Sequence, residues 1–182
     1  MAGANCRCQR PRGKHLVAGL EEDETSGLTW NAETGTLFTV TGQNPQLVEF
    51  SPGGVVLRRI TLTGFSDPEA VEALDNGQLG IVDERRRLVA VLRLAPGVES
   101  LDLEDLATYD LGFDGAGNKG FEGLAWNPRT QRMLLAKERD PQGLFELPFP
   151  GEDGAAGALE SLPDQPLLVR DISSVAIDPR TG

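Results

Sequence analysis

The 182-residue sequence contains few of the side chains that most catalytic and transition-metal sites use. Its one histidine, His15, argues against histidine-dependent catalytic triads and against zinc held by histidine. Its two cysteines, Cys6 and Cys8, lie so close in sequence that they could form only a strained disulfide or supply two of the four ligands of a structural zinc. We interpret both as part of an N-terminal tail, residues 1–15.

Long apolar runs and basic residues are also scarce. No stretch approaches 18 apolar residues, so no transmembrane segment is expected. The start of the chain has basic residues but no apolar segment after them, so it does not read as a secretory signal. The formal net charge of −11 repels phosphates, which excludes a nucleic acid partner, and it attracts cations, either metal ions or basic ligands.

Aromatic residues make up only 5% of the chain, whereas glycine and proline are plentiful, with 22 and 12 copies. Many of these glycines and prolines lie between apolar runs, where they favour chain reversals. Frequent reversals between short apolar runs are typical of an all-β protein.

One short phrase occurs four times, and a turn followed by a second apolar run comes after each of the first three copies. The copies start 43 to 53 residues apart, and strand repeats of that length indicate β-propeller blades rather than a helical solenoid. The four copies are SGLTWN at 26–31, EAVEAL at 69–74, EGLAWN at 122–127 and SSVAID at 173–178.

The repeat predicts a partial β-propeller over residues 16–182, with three blades and the start of a fourth. The blades cover approximately 26–62, 69–111 and 122–170, and the next begins at 173. A propeller ring has four to eight blades, so we expect this sequence to be part of a larger ring. The one helix candidate, 98–106, is short. The predicted strands are 26–31, 36–41, 46–50 and 55–62, then 69–74, 78–83, 87–94 and 106–111, then 122–127, 132–137, 143–147 and, after a loop at 148–163, 166–170.

Four glutamates are predicted to gather on one face of this propeller. The first strand of a blade is innermost and starts on one face, and the antiparallel second strand ends on that face. Glu69 and Glu122 begin first strands, whereas Glu84 and Glu138 end second strands. The loops that enter the same face carry Asp67, Asn118 and Asp171.

Carboxylate and amide oxygens without histidine or cysteine suit calcium best, and magnesium or manganese less well. A second interpretation stays open, because Arg85, Arg139 and Lys119 lie beside these acids in sequence. The acids and bases would then form a salt-bridge network between blades, with no ion.

Two other patterns are weaker. The glycines at 115–120 match the dinucleotide fingerprint, but a strand rather than a helix follows them, so we reject it. Trp30 and Trp126 occupy the same place in their repeats. We expect both to be largely buried between blades.

Several of these segments together resemble the SdiA-regulated, YjiK-like bacterial proteins over residues 16–182, most specifically at 118–141. They are 26–31, 64–69, 83–85, 118–125 and 136–141. The resemblance implies a ring of five or six blades, distantly similar to NHL-repeat propellers, and relatives that are periplasmic, secreted or held at the cell envelope. It also implies a calcium site, with Glu69 and Glu122 as the best candidate ligands and Glu84 and Glu138 behind them.

Three functions follow as hypotheses. The first is a non-enzymatic, calcium-binding module of the bacterial cell envelope that binds or senses a small molecule or protein on its acidic face. The second is a calcium-dependent hydrolase, a phytase-like phosphoesterase or a lactonase, in which the metal activates water and Glu138 serves as general base. The third is a protein-interaction scaffold in which all the charges are structural.

Overall fold

A computed structural model describes residues 24–112, 120–139, 141–149, 157–163, 169–178 and 180–181. Several predictions lie outside these residues. They concern the N-terminal tail with Cys6, Cys8 and His15, the glycine-rich loop with Asn118 and Lys119, and most of the predicted strand at 166–170.

Thirteen strands form three sheets in the described part of the chain, which confirms the prediction of an all-β propeller. The first sheet has the order β1-β2-β3-β4-β8, the second β5-β6-β7-β9 and the third β10-β11-β12-β13. The strands are β1 (Thr25–Asn31), β2 (Thr36–Thr41), β3 (Gln46–Phe50), β4 (Val56–Thr63), β5 (Pro68–Ala73), β6 (Gln78–Asp83), β7 (Leu88–Arg93), β8 (Ser100–Asp102), β9 (Ala107–Asp110), β10 (Phe121–Asn127), β11 (Arg132–Lys137), β12 (Gly143–Pro148) and β13 (Glu160–Ser161).

Where a copy of the repeated phrase ends in asparagine, the asparagine side chain caps the turn that follows the inner strand. The Asn31 side-chain oxygen accepts hydrogen bonds from the amides of Glu33, at 2.9 Å, and Thr34. Asn127 does the same for Arg129, at 3.0 Å, and Thr130. An asparagine side chain stabilises such a reversal by satisfying amides that no strand pairs. This turn fixes the register of β1 on β2 and of β10 on β11.

Two apolar cores separate the three sheets, and the second sheet contributes to both. Successive side chains of a strand point to opposite faces, so Ile81 packs toward the first sheet and Val82 toward the third. Burial on both faces explains the nearly continuous apolar sequence of β6 and β7. The first core includes Phe38, Val40, Leu47, Ile60, Leu79, Ile81, Ala90 and Leu92, and the second includes Val82, Val89, Val91, Leu124, Trp126, Met133, Leu135, Phe145 and Leu147.

The inner strands β1, β5 and β10 pack side by side. Three of the four predicted inner strands are therefore confirmed, at 26–31, 69–74 and 122–127. The fourth prediction is wrong, because residues 173–178 pair with no strand of the described chain. They lie instead beside β10, where the Val175 amide approaches Gly123.

Two connections also differ from the sequence prediction. The helix candidate at 98–106 is instead β8 followed by a single 3-10 turn, Leu103–Asp105. Backbone pairing decides this, because β8 pairs in parallel with β4 and so ties the second blade to the edge of the first. In the third sheet, β13 lies within the predicted loop 148–163, and residues 169–170 form a bend rather than a strand.

Within the described residues, no helical segment has the length and apolar character that crossing a membrane requires.

The two tryptophans take equivalent places in the ladders but differ in burial. Trp30 pairs with Leu37 and Trp126 with Met133, each one residue before the turn asparagine. Trp126 is 7% exposed and stacks edge-on against Phe149 at 5.5 Å. Trp30 is 50% exposed, so the prediction that it is largely buried is wrong. Alternation along β1 points it away from the side of Thr29, whose hydroxyl contacts Glu72 of the second sheet.

This difference predicts unequal costs for the same substitution. Trp126→Ala should lower the free energy of unfolding by about 3–5 kcal/mol, because it removes a buried aromatic side chain and leaves a cavity. Trp30→Ala should cost less than half as much, since half of that side chain already contacts solvent. Urea unfolding of both variants beside the parent chain measures the two losses, and equal losses would contradict the packing described here.

Candidate metal centre

A break in strand pairing occurs near the start of every inner strand. The register shifts between Ser26 and Thr29 in β1, between Pro68 and Ala70 in β5, and between Phe121 and Gly123 in β10. Such a bulge leaves one or more residues outside the ladder and redirects their side chains. In β5 and β10 the residues left out are Glu69 and Glu122, the two glutamates that the sequence placed foremost.

The structure brings five of the predicted acidic residues together in two groups. Ligand oxygens of Asp67, Glu69 and Glu84 lie within 4.8 Å of one another. Those of Glu84, Glu122 and Glu138 meet the same limit. Glu84 belongs to both groups, although the sequence ranked it behind Glu69 and Glu122. It follows β6 and is 7% exposed, and Glu138 follows β11 and is 6% exposed.

Gly120 holds the two buried glutamates in place. Its amide donates to the Glu84 Oε1 atom at 2.7 Å, and its carbonyl accepts from the Glu138 amide at 3.0 Å. A Cβ atom at residue 120 would lie 2.5 Å from the Glu84 Cγ atom, so this close approach requires glycine. The sequence showed the glycine but not this contact, because it joins residues 36 positions apart.

Asp83 is a second supporting residue that sequence reasoning missed. It is fully buried, and its side chain accepts from the amides of Ser66, at 2.6 Å, Asp67, at 3.3 Å, and Arg86, at 3.0 Å. These bonds fix the loop that carries Asp67 against the end of β6. In the third sheet the corresponding residue is Lys137, also fully buried, which donates to the Arg139 carbonyl.

Two of the acids have basic partners, as the salt-bridge interpretation predicts. Arg85 pairs with Asp67 at 2.9 Å. Arg139 pairs with Glu138 and, at 3.5 Å, with Asp171. Glu69 accepts a hydrogen bond from the Ser26 hydroxyl at 2.7 Å, whereas no arginine or lysine of the described residues pairs with Glu69 or Glu122.

Burial and the neighbouring carboxylates shift the pKa of Glu122 most. Burial, together with the charges of Glu138, Glu69 and Glu84, raises the pKa of Glu122 to about 7. Burial also raises the pKa of Glu69, a shift that the Ser26 hydrogen bond opposes and that Asp67 and Glu84 increase. A proton or a cation at this place relieves the same repulsion, so the two compete for it. Oxygen donors of this kind suit calcium.

A further glutamate that the sequence did not single out joins all three sheets. Glu72, on β5, accepts from the Thr29 hydroxyl of the first sheet at 2.9 Å and from the Trp126 amide of the third at 3.3 Å. Burial raises its pKa. At the same position of the repeated phrase the other copies have Thr29, Ala125 and Ala176, so aligning the copies could have revealed Glu72 as the one charged residue there.

The raised pKa of Glu122 predicts a pH dependence of stability in the presence of a chelator. Its ordinary pKa is 4.5, and the folded value is about 7. Between these values the folded chain retains a proton that the unfolded chain has lost, so this group makes stability fall as pH rises through the window. Urea midpoints at pH 5, 6 and 7 should therefore fall less steeply for Glu122→Gln than for the parent chain.

Glu104→Gln is the matched control, because Glu104 is an exposed glutamate in the turn after β8. It should keep the pH profile of the parent chain. Parallel profiles for the parent chain and Glu122→Gln would contradict the electrostatic description of the site.

Solved structures with the same fold share little sequence with this chain. The mitotic checkpoint complex matches with a TM-score of 0.56 and 15% identity over 86% of this chain and 43% of that chain. The β-propeller domain of Myceliophteria thermophila Cps50 matches with a TM-score of 0.52 and 10% identity, over 86% of this chain and 45% of that chain. Kuenenia stuttgartiensis hydrazine synthase matches with a TM-score of 0.52 and 6% identity, over 76% of this chain and 37% of that chain. The chain spans less than half the length of each, and at these identities the likeness shows the β-propeller fold alone.

The family comparison is more specific. The model of the SdiA-regulated family matches residues 11–182, which include all three sheets and all the acidic residues of the centre. The chain belongs to the SdiA-regulated family of β-propeller proteins.

Proposed function

We propose that this chain is a calcium-binding β-propeller module whose ion lies between the second and third sheets. The observation that supports this most is the environment of Glu122, which has three carboxylates around it and no basic partner among the described residues. A calcium ion would replace that repulsion by coordination.

The donor set fits the preference of calcium. Calcium takes six to eight oxygen ligands and tolerates irregular geometry, and a carboxylate supplies one or two oxygens. The second and third sheets offer five carboxylates within the two overlapping groups, and Glu84 is available to either. Arg85 and Arg139, which pair with Asp67 and Glu138, are both partly exposed, so they would limit the excess negative charge from the solvent side.

The basic residues near the site favour a binding role over hydrolysis, because those that the structure describes are already paired with acids. A phosphate ester substrate would need cationic groups beside the ion. Arg85 and Arg139 are already engaged with Asp67 and Glu138, and Lys119 lies outside the described residues. We therefore place a non-enzymatic role first, and the location at the cell envelope stays a prediction from the family.

Calcium should stabilise the fold in proportion to its occupancy. An ion that binds only the folded chain adds about 2.7 kcal/mol at a free concentration 100 times its Kd, which corresponds to about 5–10 °C in Tm for a domain of this size. Thermal unfolding with calcium and with a chelator should show this shift for the parent chain and for Glu104→Gln. Glu122→Gln should lose most of the shift, because it removes an anionic ligand at the centre.

Two results would contradict the proposal. One is a Tm of the parent chain that calcium does not change. The other is an equal calcium shift in Glu122→Gln and Glu104→Gln, which would place the ion elsewhere.

A further inference from the structure

A cavity of about 420 Å³ lies along the inner strands and shares Glu122 with the metal centre. Strands β1, β5 and β10 and residues 173–177 line it. Its volume is within the range of small-molecule sites. Its wall is more polar than apolar, and its apolar part comes from Leu28, Ala70, Val71, Leu124, Val175 and Ile177.

The charged residues of the described wall are both glutamates, Glu72 and Glu122. Glu72 accepts hydrogen bonds from two neutral donors, one on each carboxylate oxygen. A carboxylate has about four acceptor positions, so about two remain for a ligand. No arginine or lysine in the described part of the chain forms a salt bridge with Glu72. A partly buried carboxylate without a cation is costly, and a cationic ligand would remove that cost.

The geometry separates this position from the metal centre. Glu72 lies three residues beyond Glu69 on β5, which is about 10 Å along an extended strand. Neither of the two groups able to hold a metal includes Glu72. A lone carboxylate is a poor calcium site, because calcium needs several oxygens. An organic cation with a short alkyl chain needs one carboxylate and a strip of apolar side chains beside it, and the cavity offers both.

We propose that this cavity binds a small linear alkylammonium ion, with its ammonium group on Glu72 and its methylene chain against the apolar side chains of the wall. The proposal goes beyond calcium binding and does not require it.

Calorimetric titration with butylamine, with calcium at saturation, tests the proposal, and butan-1-ol is the neutral control ligand. Butylamine should bind the parent chain and Glu104→Gln equally, and butan-1-ol should not bind. Glu72→Gln should weaken butylamine binding at least tenfold, because the amide keeps the size of the side chain but removes its charge. Calcium binding should be the same in Glu72→Gln as in the parent chain.

A second variant tests the cavity without changing charge. Val175 lines the cavity from the unpaired segment 173–178, so Val175→Phe should fill the space and block butylamine while Glu72 is retained. The inference is overturned if butylamine does not bind the parent chain, if Glu72→Gln binds it as the parent does, or if Val175→Phe leaves its affinity unchanged. Failure of calcium binding would appear separately, in the calcium titration of the parent chain.

Discussion

Inner strands that pack side by side bring the carboxylates of neighbouring sheets together, and the rest of the structure must accommodate their repulsion. Glu84 lies at the meeting point of the second and third sheets, within reach of both acidic groups. Its amide donates to the Asp67 carbonyl at 2.9 Å, and its side chain accepts from Gly120, whose carbonyl in turn binds the Glu138 amide. This chain of contacts fixes the two sheets against each other at the place where their charges are least favourable. Arginines pair with Asp67 and Glu138, whereas Glu69 and Glu122 have no basic partner among the described residues, and the pKa of Glu122 is raised to about 7.

Apolar packing and polar contacts both join the sheets, but in different places. The second sheet is buried on both faces, so two separate cores depend on it. Along the inner strands the contacts are polar instead, through Ser26 with Glu69 and through Glu72 with Thr29 and Trp126. These polar contacts line the acidic face and the cavity. A cation at the face and an ammonium group in the cavity would each stabilise charge that the fold itself leaves buried.

The repeated phrase predicted the fold and the first three inner strands, because apolar alternation and the turn asparagines are local signals. It also predicted which glutamates share a face, because antiparallel order places strand starts and strand ends together. It did not predict the bulges at Glu69 and Glu122, the contact of Gly120 with Glu84, or the role of Glu72, since all three depend on residues distant in sequence. The error at Trp30 has the same origin, because a sequence position identifies the face of a strand but not what covers that face. Strand β8 was missed because its three residues gain their pairing only from β4.

The central claim is that a calcium ion occupies the junction of the second and third sheets. Crystals grown with calcium and measured for its anomalous scattering test this most directly. The account predicts a peak between Glu84, Glu122 and Glu138, at about 2.3–2.6 Å from their carboxylate oxygens. Crystals at millimolar calcium with no peak at that place would contradict it.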